Sequence, residues 1–166
     1  MSNQLQAAIG LVLTAWHSHV SRTDKLFSAL TDEQLKGETA AGRNSGVYLL
    51  GHLAAVHDAL FPLLGIGEKL YPQLEQPFIK SPDQPRGDEY GTAELRGYWH
   101  EVNRKLAERF NQLTPEEWLQ KHTAVSEEDF AKEPHRNRLN VLISRTNHLA
   151  YHLGQLIYLQ KRDGAD

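Results

Sequence analysis

The stretch RLNVLISRTNHLAYHLGQLIYLQK, residues 138–161, decides the fold. Leu142, Leu149 and Leu156 recur along it at helical spacing, which predicts a last helix from about Arg138 to Lys161, ended by Gly164. His148 and His152 stand four residues apart and therefore lie one above the other on a single face. Val141, Arg145, Gln155 and Leu159 share that side. Two imidazoles at this spacing can reach one ion, and a third from a facing helix completes a triangle.

The third imidazole comes from the second helix. Ser45 is its N-cap, and it runs to about Leu60, with Pro62 and Gly65 as the stop. At about 100° per residue, His52 shares a face with Leu49, Leu53, Val56, Ala59 and Leu60, in the middle of the apolar stripe. An imidazole aimed into a core without a partner costs roughly 1–3 kcal/mol, so His52 needs one. His57, the main rival, lies about 140° further round and points toward Leu50, Phe61 and Leu64. It reads as a packing residue or as one that backs a ligand.

Outward from these two helices the pattern stays helical. Leu5, Ile9, Val12, Leu13, Trp16, Val20, Phe27 and Leu30 mark a first amphipathic helix, and Thr31-Asp32 with the glycine-bearing stretch Gly37 to Asn44 reads as a loop. Residues 62–91 hold five of the seven prolines (Pro62, Pro72, Pro77, Pro82 and Pro85) and read as a long irregular connection. A third helix opens at Thr92, with Leu95, Trp99, Val102, Leu106, Phe110 and Leu113 on one stripe. Thr114-Pro115-Glu116-Glu117 starts a short helix through Trp118, and residues 122–137 form a second loop. Four long helical segments without strand alternation or internal repeat predict an all-α, four-helix bundle forming one domain over residues 1–166.

Composition narrows the function classes. Apolar residues make up 40% and charged residues 23% of 166 residues, a globular balance. Net charge is −3 with no basic stripe, which argues against nucleic acid as a partner. The absence of cysteine excludes disulfides, thiolate ligands and a cysteine nucleophile. The N-terminal segment lacks the charge pattern of a signal peptide, and its apolar run is too short for a bilayer. The expectation is a cytoplasmic protein without membrane attachment.

Nine histidines are the compositional outlier. His17 and His19 border the first helix's stripe, where one could line the pocket, His100 lies opposite the Trp99–Val102 stripe, and His122 and His135 fall in loops. A lone buried histidine is more often a satisfied core residue than a ligand, and His-x3-His pairs on helices are common. The two features together, inward-facing on different helices, carry more weight. They make His52, His148 and His152 the candidate metal ligands. Trp16, Tyr48, Trp99 and Tyr151 are candidate pocket residues, although aromatics at this spacing are more often core.

The segment 147–156, NHLAYHLGQL, resembles the C-terminal signature of the DinB-like metal-binding bundles. Leu50-Gly51-His52-Leu53 is similar to their second-helix ligand motif. Leu153 departs from the pattern, since many members carry arginine before Gly-Gln. The resemblance implies a divalent ion, zinc or nickel, on the three histidines, and a homodimer. It also implies activities such as S-transfer or isomerisation with low-molecular-weight thiols.

Three neutral imidazoles leave an ion's double charge uncompensated, which acidifies a bound water or thiol. An S-transferase acting on a small electrophile, a hydrolase, and a non-enzymatic metal- or ligand-binding bundle are therefore the three readings. The lack of cysteine suits the first, because the sulfur would come from the cosubstrate. No carboxylate lies one turn from the ligands on the last helix, Asp58 lies off the His52 face, and Arg145 is the only charge near His148. A sealed structural site usually has four protein ligands, and three are found. Finally, Leu139, Ile143, Ala150 and Ile157 form a second apolar side of the last helix beside Gly154. That surplus predicts a homodimer through this helix, unless the 62–91 connection folds back over it.

Overall fold

The computed structural model describes residues 2–83 and 89–160, and the described residues form no strand beyond two isolated bridges. Helix α1 spans Ser2–Ala29 and a short α2 spans Asp32–Lys36. The Thr31 side chain caps α2 in a reciprocal box with Gln34, which settles two backbone donors of its first turn. Helix α3 covers Gly46–Asp58 under the Ser45 cap. It passes at Ala59 into α4, Leu60–Leu64. Pro62 is thus inside a helix and not its stop, because the break at Ala59 has already begun a new first turn. The stop is Gly65, whose φ of 66° is left-handed. There the Ile66 amide returns to the Phe61 carbonyl and the Gly65 amide to that of Pro62.

The connection that follows is irregular but not structureless. It holds a 3-10 turn at Pro72–Leu74 and a helix α5 at Glu75–Phe78, both packed on α3. Helix α6 spans Thr92–Phe110, α7 Pro115–Trp118 and α8 Glu127–Lys132. Helix α9 runs Arg138–Leu156 and tightens into a 3-10 turn at Ile157–Leu159. The expected end at Lys161 and Gly164 lies outside the described residues.

Helix α1 packs on α9, α9 on α3, α3 on α6 and α6 on α1. One buried cluster joins Leu49, Leu50 and Leu53 of α3 to Leu149, Leu153 and Leu156, with Phe27 and Trp99. Another joins Leu60, Phe61 and Leu64 to Leu142, with Trp16, Phe110 and Trp118. Leu49–Leu53 thus lie level with the end of α9 and Leu60–Leu64 with its start, so α3 and α9 run antiparallel. Residues 46–64 are apolar enough to cross a membrane, but the stretch is 72% buried inside the protein, so its apolarity serves the core.

Asp58 fixes the start of the connection. Its buried carboxylate accepts from the Leu70 amide at 2.8 Å and the Tyr71 amide at 2.9 Å. Burial raises its pKa, and those two donors partly offset the rise.

Candidate metal centre

His52 reaches inward from the middle of α3, and His148 and His152 from one face of α9. Leu49 and Leu53 beside His52 are fully buried, and His52 and His148 themselves are half-buried. His152 is buried. The structure brings all three predicted ligands together: His148 Nε2 lies 3.2 Å from His52 Nε2 and 3.1 Å from His152 Nε2. Nitrogens about 2.0–2.1 Å from a common ion lie roughly 2.9 Å apart at a right angle and 3.4 Å at the tetrahedral angle. The observed spacings fall between these limits.

The outer nitrogens determine what the inner ones present. His52 Nδ1 donates to the Phe78 carbonyl at 2.7 Å, an oxygen that can only accept. Its Nε2 is therefore a bare lone pair in the neutral ring. His152 Nδ1 donates to Gln155 Oε1 at 2.7 Å, with the same consequence. Two lone pairs then face His148 Nε2 at close range. A single proton on His148 would have to be shared between both, whereas one cation satisfies all three nitrogens. The three rings can hold a metal ion, and the geometry fits one.

Burial keeps these rings neutral, the form that ligates. It lowers the pKa of His52 and of His152. His148 is pushed to about 4, first by burial and then by the fields of His152, His52 and Arg145. The Phe78 and Gln155 bonds pull in the other direction for His52 and His152.

Phe78 ends α5, so the proline-rich connection supplies the acceptor that orients His52. Gly51 explains how it gets so close. A Cβ on Gly51 would lie 2.4 to 2.6 Å from three carbons of the Phe78 ring. The glycine beside His52 is therefore a packing requirement of the oxygen that holds His52.

His57 stays out of the cluster, as its helical angle predicts. It is fully buried between Trp16 and Trp99, with ring centroids at 4.6 and 5.0 Å. Its Nδ1 donates to Asn103 Oδ1 at 2.8 Å, while the Asn103 amide nitrogen donates to the Trp99 carbonyl. Burial drives its pKa down to about 3, with Asn103 opposing. Trp16 and Trp99 are thus core residues around His57. Tyr48 stacks on His52 at 5.9 Å, and Tyr151, 65% exposed, lies beside His152 at 5.1 Å.

The remaining histidines take no part. His17 and His135 are exposed, and exposed His100 meets Asp24 at 2.9 Å. His19 and His122 are half-buried and fall outside the group of three that could hold an ion. Sequence reasoning missed the Phe78 carbonyl and Asn103. A main-chain oxygen carries no residue signature, and Asn103 is 46 positions from His57.

An all-α chain that converges three neutral imidazoles from two antiparallel helices has the form of a helical metal-binding protein. The sequence profile of the DinB superfamily matches residues 15–156, and the chain belongs to that superfamily. No curated protein matches the chain.

Proposed function

We propose that this chain is a cytoplasmic, divalent-metal-dependent S-transferase built as a single four-helix bundle domain. In this reading His52, His148 and His152 hold zinc or nickel, and a low-molecular-weight thiol is transferred to a small electrophile. The observation that carries it is the convergence of three imidazoles, with His148 Nε2 3.2 Å from His52 Nε2 and 3.1 Å from His152 Nε2, in a group with three members among the described residues. Three ligands leave coordination open to a substrate atom, which a sealed structural site does not.

When bound, the ion supplies the Lewis acidity that lowers the pKa of a ligated thiol. The protein's own part is orientation: the Phe78 carbonyl fixes His52, Gln155 fixes His152, and Tyr48 flanks His52. A hydrolase would also need a base, and the carboxylate on α3, Asp58, is committed to the Leu70 and Tyr71 amides. With no cysteine in the chain, the sulfur comes from the cosubstrate.

A homodimer through α9 is part of the proposal. Ile143 and Ile157 are 40% and 46% exposed, and Tyr151 and Tyr158 more so. The 62–91 connection packs on α3, which favours a partner copy over self-coverage. No Cβ contact stands in the way at Gly154.

The test is conjugation of several small thiols to an aryl halide by zinc- and nickel-loaded protein. Metal-dependent conjugation above the uncatalysed rate supports the transferase. Loaded protein that hydrolyses esters or amides but conjugates no thiol would replace it with the hydrolase.

A further inference from the structure

Arg145 is the charged group closest in sequence to His148, three residues earlier on the same helix. Positions three apart on a helix have Cβ atoms about 5–6 Å from each other. Its positive field reaches His148, His52 and His57, lowering the pKa of each. The side chain is half-buried, and that burial disfavours its own charged form.

The other part-buried arginines have partners. Arg96 donates to the Phe27 and Leu30 carbonyls and pairs with Asp32. Arg138 donates to the Glu117 carbonyl, and Arg136 pairs with Glu133. Arg145 has no hydrogen bond or ion pair among the described residues. None of its nitrogens is among the fully sealed, unpaired ones.

Charge bookkeeping then points to a ligand. Three neutral imidazoles leave a bound ion with its full double charge, and Arg145 adds another one turn away. No carboxylate is among the charges acting on the three imidazoles. A partly desolvated guanidinium beside an uncompensated cation attracts an anion strongly. Its planar fork fits an oxyanion two-pronged.

We propose that Arg145 is the anion-binding group of this site, and that the small molecule taken there carries a carboxylate or phosphate beside its metal-seeking atom. This rests on the reading of His52, His148 and His152 as metal ligands. Arg145 therefore sets specificity, and the thiol or its electrophile is anionic.

The test compares mercaptoacetate with uncharged 2-mercaptoethanol on cobalt-substituted protein, read as ligand-induced changes in the cobalt spectrum. Wild type should prefer mercaptoacetate by tenfold or more. Arg145→Met should remove most of that preference at unchanged cobalt content, and Arg145→Lys should keep part of it. Whatever preference survives in Arg145→Met belongs to the metal alone. A preference that is absent in wild type, or the same in Arg145→Met, overturns the proposal. Silence of the cobalt spectrum with both thiols would instead count against the thiol reading. The anion site is then judged by calorimetric titration of the metal-loaded protein with acetate and with inorganic phosphate. Binding lost in Arg145→Met upholds it and shows which oxyanion is preferred, whereas no binding, or equal binding to both proteins, overturns it. Should Arg145→Met fail to fold, Arg145→Gln replaces it in every arm.

Discussion

Gly51→Ala isolates the link between core packing and the metal centre. The added methyl would stand 2.4 Å from one carbon of the Phe78 ring and 2.6 Å from two others. Ordinary carbon contacts are about 3.5–4.0 Å, so the ring must retreat by roughly 1 Å. Overpacking of this kind costs typically 1–3 kcal/mol. Replacing a mid-helix glycine with alanine returns about 1 kcal/mol of helix propensity. The net expectation is a loss of about 0–2 kcal/mol.

Gly97→Ala is the control, since Gly97 also lies within a helix and nothing beyond its own helix's neighbouring backbone lies within 4 Å of its Cβ position. It should stabilise by about 0.5–1 kcal/mol. The larger consequence of Gly51→Ala is at the metal, because Phe78 also supplies the carbonyl that holds His52 Nδ1. Losing such a partner costs typically 10–100-fold in affinity. Urea denaturation of both metal-free variants, with zinc titration against a chelator, reads both effects. If Gly51→Ala is as stable as Gly97→Ala and binds zinc like wild type, the Phe78–His52 link is refuted.

Acid should destabilise the metal-free protein. His57 has a pKa of about 3 when folded, through burial, against 6.5 unexposed to the fold, so between those values the unfolded chain binds the extra proton. The stability present above 6.5 is lost as pH falls, by about 2 kcal/mol for His57 alone between pH 7.5 and 5. Asp58, whose pKa is raised by burial, works in the opposite sense at the acid end of that range. Urea midpoints in chelator at the two pH values check this, and an unchanged midpoint counts against a buried, neutral His57. For the dimer, sedimentation equilibrium should show a species near twice the 18.8 kDa chain mass, and Ile157→Glu should split it while metal content stays put. A wild-type species near the chain mass at micromolar concentration removes the dimer.

The long helices were legible because their stripes repeat many times: Leu95, Trp99, Val102, Leu106 and Phe110 of α6 are all buried. The short ones were not. Asp32–Lys36 and Glu127–Lys132 are too short for a period to emerge. Their caps at Thr31 and Ser126 were the available signals, and both fell in stretches read as loop. Pro62 misled for a related reason, since a proline stops a helix only where the backbone is already committed to one.

At the site, the i,i+4 pair and the mid-stripe position of His52 were enough to bring three candidate ligands together. What orients them was out of reach. The Phe78 carbonyl and the Asn103 amide depend on elements distant in sequence meeting in space. Gly51 was visible inside the ligand motif, but the reason for it was not, because the atom it makes room for is 27 residues away.

The most direct measurement is the metal content of purified wild type, His52→Ala, His148→Ala, His152→Ala and His57→Ala, each verified as helical by circular dichroism. Wild type should carry about one zinc or nickel ion per chain, and each of the three ligand variants should lose most of it. His57→Ala should keep it, because His57 Nδ1 faces Asn103 and not the cluster. Full occupancy in folded His148→Ala, whose Nε2 lies within 3.2 Å of both other ligand nitrogens, would contradict the three-histidine centre.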